Sequence, residues 1–352
     1  MIKALLIFLA GAAGSATIIA GLTFTKSVPP SVFASQEAIE AAARVKTEMA
    51  PHLVAFMTAD TIERRALIDE HFYAPRIAEA RRLYSVTEAP LEIDGVYTEV
   101  FEPTAGIPAR NADKVLINLH GGAFSVGART EGQLESIPVA DVAAMRVISI
   151  DYRQGPEHHF PAASEDVATV YRQLLESYQP GQIGIFGCSA GGILAAQAVA
   201  WFDTHDLPQP GAIGVFCAGA GNVGIGDSAV IADAFGTNRG AGSEVEYFSN
   251  TEWSNPLVGP LNHPGLMSQF PPTLVISSTR DMALSSALAT HQQLIANGAE
   301  SELHIFEGLG HYFFADTGLP ESRQVFKLTA DFFQRRLSGR DDVEKGVGVP
   351  TS

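Results

Sequence analysis

Cysteine is scarce: the 352 residues contain only Cys188 and Cys217. No disulfide framework can be built from two thiols, so a fold of this length must stand on its core. Each cysteine follows an apolar strand-like run, the setting of buried inert thiols. Basic residues are also short, 23 Lys and Arg against 39 Asp and Glu, which leaves a net charge of −16. A surface of that sign repels phosphate backbones, which argues against nucleic acid and anionic membrane surfaces as partners. Internal repeats are absent, so solenoid and propeller architectures are excluded. What the chain does have is apolar material, 46% of residues against 18% charged. That is ample for one large core near the upper size limit, and it predicts one large domain with appendages.

Residues 1–34 read as a targeting segment. Lys3 is the only charge before the apolar run from Ala4 to Phe24, Pro29-Pro30 break any helix, and Val32-Phe33-Ala34 suits a signal peptidase. The run is also long enough to span a bilayer, so an uncleaved anchor fits as well. Both readings place the globular part outside the cytoplasm, either periplasmic or secreted, or held at a membrane by residues 1–34.

Residues 35–90 have helical spacing, with Ala38, Ala42, Val45 and Met49 on one face and Asp60 and Glu63 placed to cap a second helix. Leu91 to Phe101 reads as a hairpin about Asp94-Gly95. Short apolar runs then alternate with helical stretches. The strands are expected at 114–119, 146–151, 183–186, 212–217, 273–278 and 302–306, and the helices near 132–145, 163–177, 285–297 and 321–337. Such alternation predicts an α/β fold with a mostly parallel sheet over 91–338. It is interrupted by a Gly-, Asn- and Ser-rich insertion at 218–269. The polar tail 339–352 is expected to be disordered.

In open α/β sheets reactive groups gather at the carboxyl ends of strands. The stretch Gln182 to Leu194, QIGIFGCSAGGIL, reads strand, tight turn, helix, with Ser189 at the centre of Gly-x-Ser-x-Gly. In that setting the glycines admit a strained serine whose hydroxyl projects above the sheet; without it they would mark only a glycine-rich turn. Cys188 adjoins the serine, but the turn presents its middle residue. A serine nucleophile needs a general base, an orienting acid and oxyanion donors. His311 in GLGH follows the last strand and Asp281 in STRD follows the strand before it, giving the chain order Ser, Asp, His. Glu307 is the nearest competing acid, one tight turn before the histidine. Oxyanion donors come from His120-Gly121-Gly122-Ala123-Phe124, after the strand at 114–119, with Gly121, Gly122, Ala123 and Ala190 as candidates. His120 could be a second base or could hold the loop. Phe124, Phe72, Tyr73 and Phe248 are candidate apolar lining for substrate, and equally plain core residues. His158-His159 with Glu157 lack further ligands at metal-binding spacing.

HGGAF, the block Asp151 to Ala163 (DYRQGPEHHFPAA) with Glu165-Asp166, GCSAGG, TRD and GLGH together resemble the hormone-sensitive lipase family of α/β-hydrolase esterases. The resemblance spans about residues 91–337. It implies a serine carboxylesterase acting on short- to medium-chain esters, with Ser189, Asp281 and His311 as triad, the oxyanion hole on the HGGA loop and no cofactor or metal. It also implies a helical cap made from the helices before residue 90 and part of 218–269. Two departures from the family's pattern stand out. Ala123 replaces a usual glycine, bringing a methyl to the acyl site. Asp281-Met282-Ala283-Leu284 replaces Asp-Pro-Leu, which looks like the branch of acetyl-hydrolases and lactone hydrolases. Lactonase or amidase activity would use the same groups. A receptor-like binding protein on this fold would not need His311. The expected partner is a small-molecule ester, with a second copy of the chain left open.

Overall fold

In the computed structural model, described here for residues 29–234 and 245–337, eight strands form one sheet in the order β1-β2-β4-β3-β5-β6-β7-β8. The alternation read from sequence is confirmed: β3 (Val115–Leu119), β4 (Arg146–Ile150), β5 (Ile183–Cys188), β6 (Ala212–Phe216), β7 (Thr273–Arg280) and β8 (Ser301–Gly310) run parallel. Strands β3, β5 and β6 are buried along their whole length, as continuous apolar runs covered on both faces must be. The predicted hairpin is β1 (Val86–Ile93) with β2 (Val96–Pro103), antiparallel and longer than expected. Asp94 and Gly95 take φ of 47° and 82°, both left-handed, as a two-residue hairpin turn of this hand requires.

Four helices precede the sheet where sequence spacing suggested two: α1 (Gln36–Met49), α2 (Leu53–Thr58), α3 (Thr61–Ile68) and α4 (Ala74–Leu83), with one wider turn at Asp69–Tyr73. Asp60 caps α3 with the expected reciprocal box, its side chain accepting from the Glu63 N–H while Glu63 accepts from the Asp60 N–H. Between strands lie α5 (Glu131–Ala143), α6 (Ala162–Leu174) and α7 (Ala190–Thr204). Beyond them come α8 (Asp227–Ala234), α9 (Pro264–Met267), α10 (Leu284–Ala296) and the closing α11 (Pro320–Arg336). Helix α7 is apolar almost all round because the sheet, α6 and the insertion enclose it.

Two apolar clusters flank the sheet. One joins α6, α7 and the insertion, through Phe124, Tyr247 and Phe248, to the inner residues of β3, β5 and β6. The other joins α4, α5 and α11 to the opposite face. Residues 29–34, read as the end of a targeting segment, lie against the body: the Pro29 carbonyl accepts from Arg280 and the Ser31 hydroxyl donates to Glu307. Residues 1–28 and the tail expected to be disordered lie outside the described residues. Among the described residues no helix is long and apolar enough to cross a membrane.

Candidate active site

The two glycines that flank Ser189 are dictated by one atom. Leu119 ends β3, and its carbonyl oxygen would stand 2.1 Å from a Cβ on Gly187 and 1.7 Å from a Cβ on Gly191. No side chain fits at either position, so chain and helix can turn tightly only there. Between them Ser189 adopts φ 55°, ψ −120°, a conformation that costs a non-glycine residue about 1–3 kcal/mol. Its N–H donates to the Phe216 carbonyl at 2.8 Å, which ties the strained residue to β6. The side chain stands at the head of α7, where the helix leaves its first N–H groups unpaired.

His311 and Asp281 arrive from the ends of β8 and β7. Both strands run further than sequence suggested, and Gly308 with Gly310 obscured the second. The His311 Nε2 lies 3.0 Å from the Ser189 Oγ, and its Nδ1 lies 2.7 Å from the Asp281 Oδ1. Asp281 is sealed from solvent and accepts further hydrogen bonds from the Ala283 N–H and the Ser277 hydroxyl. Burial alone would raise its pKa, but the His311 charge and these donors hold it below the ordinary carboxylate value. Burial likewise opposes charge on His311, and Asp281 outweighs it, leaving the imidazole pKa above its ordinary value. The Cys217 thiol stands within 4.8 Å of the same imidazole and carboxylate, whose donor and acceptor atoms are already paired with each other. Glu307, the competing acid, is exposed and bonded to Ser31.

Beside the serine, the HGGA loop turns left-handed at Gly122, Ala123 and Phe124, with φ of 88°, 53° and 55°. Ala123 thus adopts a backbone conformation that glycine enters freely, with its methyl retained. Among the described residues the N–H groups of Gly122 and Ala123 donate to no protein acceptor. Gly121 packs against the buried Glu131, where a Cβ would stand 2.1 Å from one carboxylate oxygen. His120 holds the loop. It is buried and neutral, burial pushing its pKa down to about 4, and its Nδ1 donates to the Gly121 carbonyl. It stacks on Tyr152, whose hydroxyl donates to the His120 carbonyl.

The expected lining residues have other partners. Phe124 is buried, stacked on Tyr247 and edge-on to Phe248. Tyr73 is buried with its hydroxyl on Glu131, and Phe72 lies beneath the Arg76 guanidinium. His158 and His159 are exposed, and His159 hydrogen-bonds the Glu246 carbonyl, which makes them a turn packed on the insertion. Sequence reasoning passed over Glu131 and Glu135. Two acids four residues apart in an otherwise apolar helix were the available signal.

A hydroxyl, an imidazole and a buried acid joined in this order above a parallel sheet define the class of α/β hydrolases that act through serine. The comparisons agree. Residues 116–315 match the model of a family described as the alpha/beta hydrolase fold, more than half of the chain, and the chain belongs to that family. It is 28% identical over 236 residues to an acetyl-hydrolase from Streptomyces hygroscopicus, covering 64% of this chain and 77% of that protein. It is also 28% identical over 240 residues to the carboxylesterase/phospholipase LipF of Mycobacterium tuberculosis, of which it spans 63%. Among solved structures, esterase E25 superposes with a TM-score of 0.77 at 30% identity, covering 89% of this chain and 97% of that one. An esterase from the bacterial hormone-sensitive lipase family shares the fold with a TM-score of 0.70 at 24% identity, covering 80% of this chain and 93% of that one.

Proposed function

We propose that this chain is a serine carboxylesterase that cleaves short- to medium-chain esters through an acyl-enzyme on Ser189. The observation that carries the reading is the unbroken hydrogen-bonded line from the Ser189 Oγ through His311 to Asp281. In this reading His311 takes the Ser189 proton as Oγ attacks the ester carbonyl, and the resulting oxyanion lies against the N–H groups of Gly122, Ala123 and Ala190. Collapse expels the alcohol, which receives the proton from His311. Water then repeats the cycle on the acyl-enzyme and frees the acid. No metal or cofactor enters any step.

The short acyl preference is supported by the Ala123 methyl beside the acyl position and by the acetyl-hydrolase relative. The first four helices and the insertion act as the cap, since Tyr73 and Asp69 reach Glu131 and Thr130 beside the loop while Phe248 meets Phe124. Export through the apolar segment at 4–24 belongs to the same proposal, and intact mass of the protein recovered from exporting cells tests it.

The deciding experiment is intact mass after treatment with a fluorophosphonate, beside Ser189→Ala and His311→Ala variants. The expected result is one adduct on the parent, none on Ser189→Ala and very slow labelling of His311→Ala. A folded parent that takes no adduct overturns the proposal. A p-nitrophenyl ester series then reads acyl length, with acetate and butyrate expected to exceed longer chains in kcat/KM.

A further inference from the structure

One buried carboxylate beside the triad has no task in the reaction as described. Glu131 opens α5 just past the HGGA loop and is 2% exposed. An acid in the first turn of a helix is favoured by the helix dipole, but a solvated side chain would serve that preference. This one points inward. Its carboxylate accepts from the Tyr73 hydroxyl and packs against the Gly121 backbone, so it bridges the loop and the N-terminal helices. A Cβ on Gly121 would stand 2.1 Å from one carboxylate oxygen, and a Cβ on Gly127 3.0 Å from the other. The loop is therefore wrapped around this side chain from both ends.

Glu135, one helical turn on, accepts from the Asn118 side chain on β3. The two acids of α5 thus stand against the loop and the strand β3 that carries it. The charges of Glu131 and His311 favour each other. The groups around them are Asp281 beyond β7, Glu135, the hydroxyls of Tyr73, Tyr152 and Tyr312, the thiols of Cys188 and Cys217, and the neutral His120. Of these, Asp281 and Glu131 are the two that favour the imidazolium. Burial lifts the Glu131 carboxyl to about 7, against its donors and the His311 charge. Burial and the Glu131 charge drive Glu135 well above the usual range.

We propose that Glu131 is a positioning residue for the reaction: it fastens the oxyanion loop through Gly121, couples that loop to the N-terminal helices through Tyr73, and supplies His311 with a second negative partner. A rearrangement of the helices that withdraws Tyr73 then alters both the loop and the base.

The inference rests on the serine esterase reading, so fluorophosphonate labelling of the parent comes first, and an unlabelled parent overturns that reading rather than this one. The test proper is kcat/KM against pH for p-nitrophenyl acetate in the parent, Glu131→Gln and Tyr73→Phe. Glutamine keeps the length and shape of the side chain, but carries no charge. His311 must be neutral to act as base, and losing a negative neighbour lowers its pKa. The acid limb of Glu131→Gln is therefore expected at lower pH than the parent's, with a plateau about tenfold lower because the loop is held less firmly. Tyr73→Phe removes a donor that favours the charged carboxylate, so its limb moves the same way by less. An unmoved limb in Glu131→Gln, whatever its rate, makes the residue a packing element and overturns the proposal. An unmoved limb in Tyr73→Phe removes the coupling to the helices. If Glu131→Gln does not fold, an unmoved limb in Tyr73→Phe overturns the proposal.

Discussion

Ser189 and the glycines around it are where single atoms decide the outcome. Gly191 has no room for a methyl, because the Leu119 carbonyl oxygen would lie 1.7 Å from it and is held within the sheet. Gly191→Ala is expected to cost about 3 kcal/mol or more and to abolish labelling by fluorophosphonate, read by thermal melting and intact mass. Asp281 acts differently, through the tautomer of its neighbour. Asparagine at 281 can hold the imidazole but favours the wrong proton placement, so kcat is expected to fall about 10⁴-fold with the fold retained. The pH dependence has a definite sign. His311 has a pKa above the ordinary imidazole value, and activity needs its neutral form, so kcat/KM should fall as pH drops through that raised value. A steady-state pH profile checks it.

At the scale of elements, α3 is fastened to the body chiefly by one side chain. The Arg65 guanidinium donates to the carbonyls of Ser125 and Gly155 and forms a two-pronged pair with Glu157. The pair is partly exposed, so as an ion pair it contributes about 1 kcal/mol or less. The two carbonyls matter more, because they belong to the turns that follow HGGA and the Tyr152 block. Arg65→Ala should raise KM severalfold with a smaller change in kcat, and should speed amide exchange over 61–83 relative to the sheet. Hydrogen exchange by mass spectrometry, with initial rates over a range of ester concentration, reads both. Lysine at this position restores charge but not the fork, so it should rescue little.

Across the whole molecule, five of the eight strands meet at their carboxyl ends to build the site. β3 carries the loop, β5 the serine, β7 the acid and β8 the base, while β6 anchors the serine backbone. The acidic surface predicts weak dependence of neutral-ester hydrolysis on salt and poor use of esters bearing negative charge, checked by kcat/KM across ionic strength. Either a strong salt effect on a neutral ester or a preference for anionic substrates would contradict it.

The alternation of elements, the parallel sheet and the order Ser189, Asp281, His311 were legible in the sequence because each depends on local pattern. Apolar runs declare buried strands, and glycines declare the turns that follow them. The sequence alone also made the chain acidic and nearly free of cysteine. The rest was decided where segments distant in sequence meet. That Gly187 and Gly191 answer to one carbonyl on β3, that Gly121 packs against Glu131, and that Arg65 grips two turns are facts of approach between distant segments. Glycines hid the end of β8, since strand propensity is low where only the neighbouring strand imposes extension. Glu131 looked like any acid at a helix start. Only packing shows that it is buried against the loop, because burial depends on which surfaces the fold brings together.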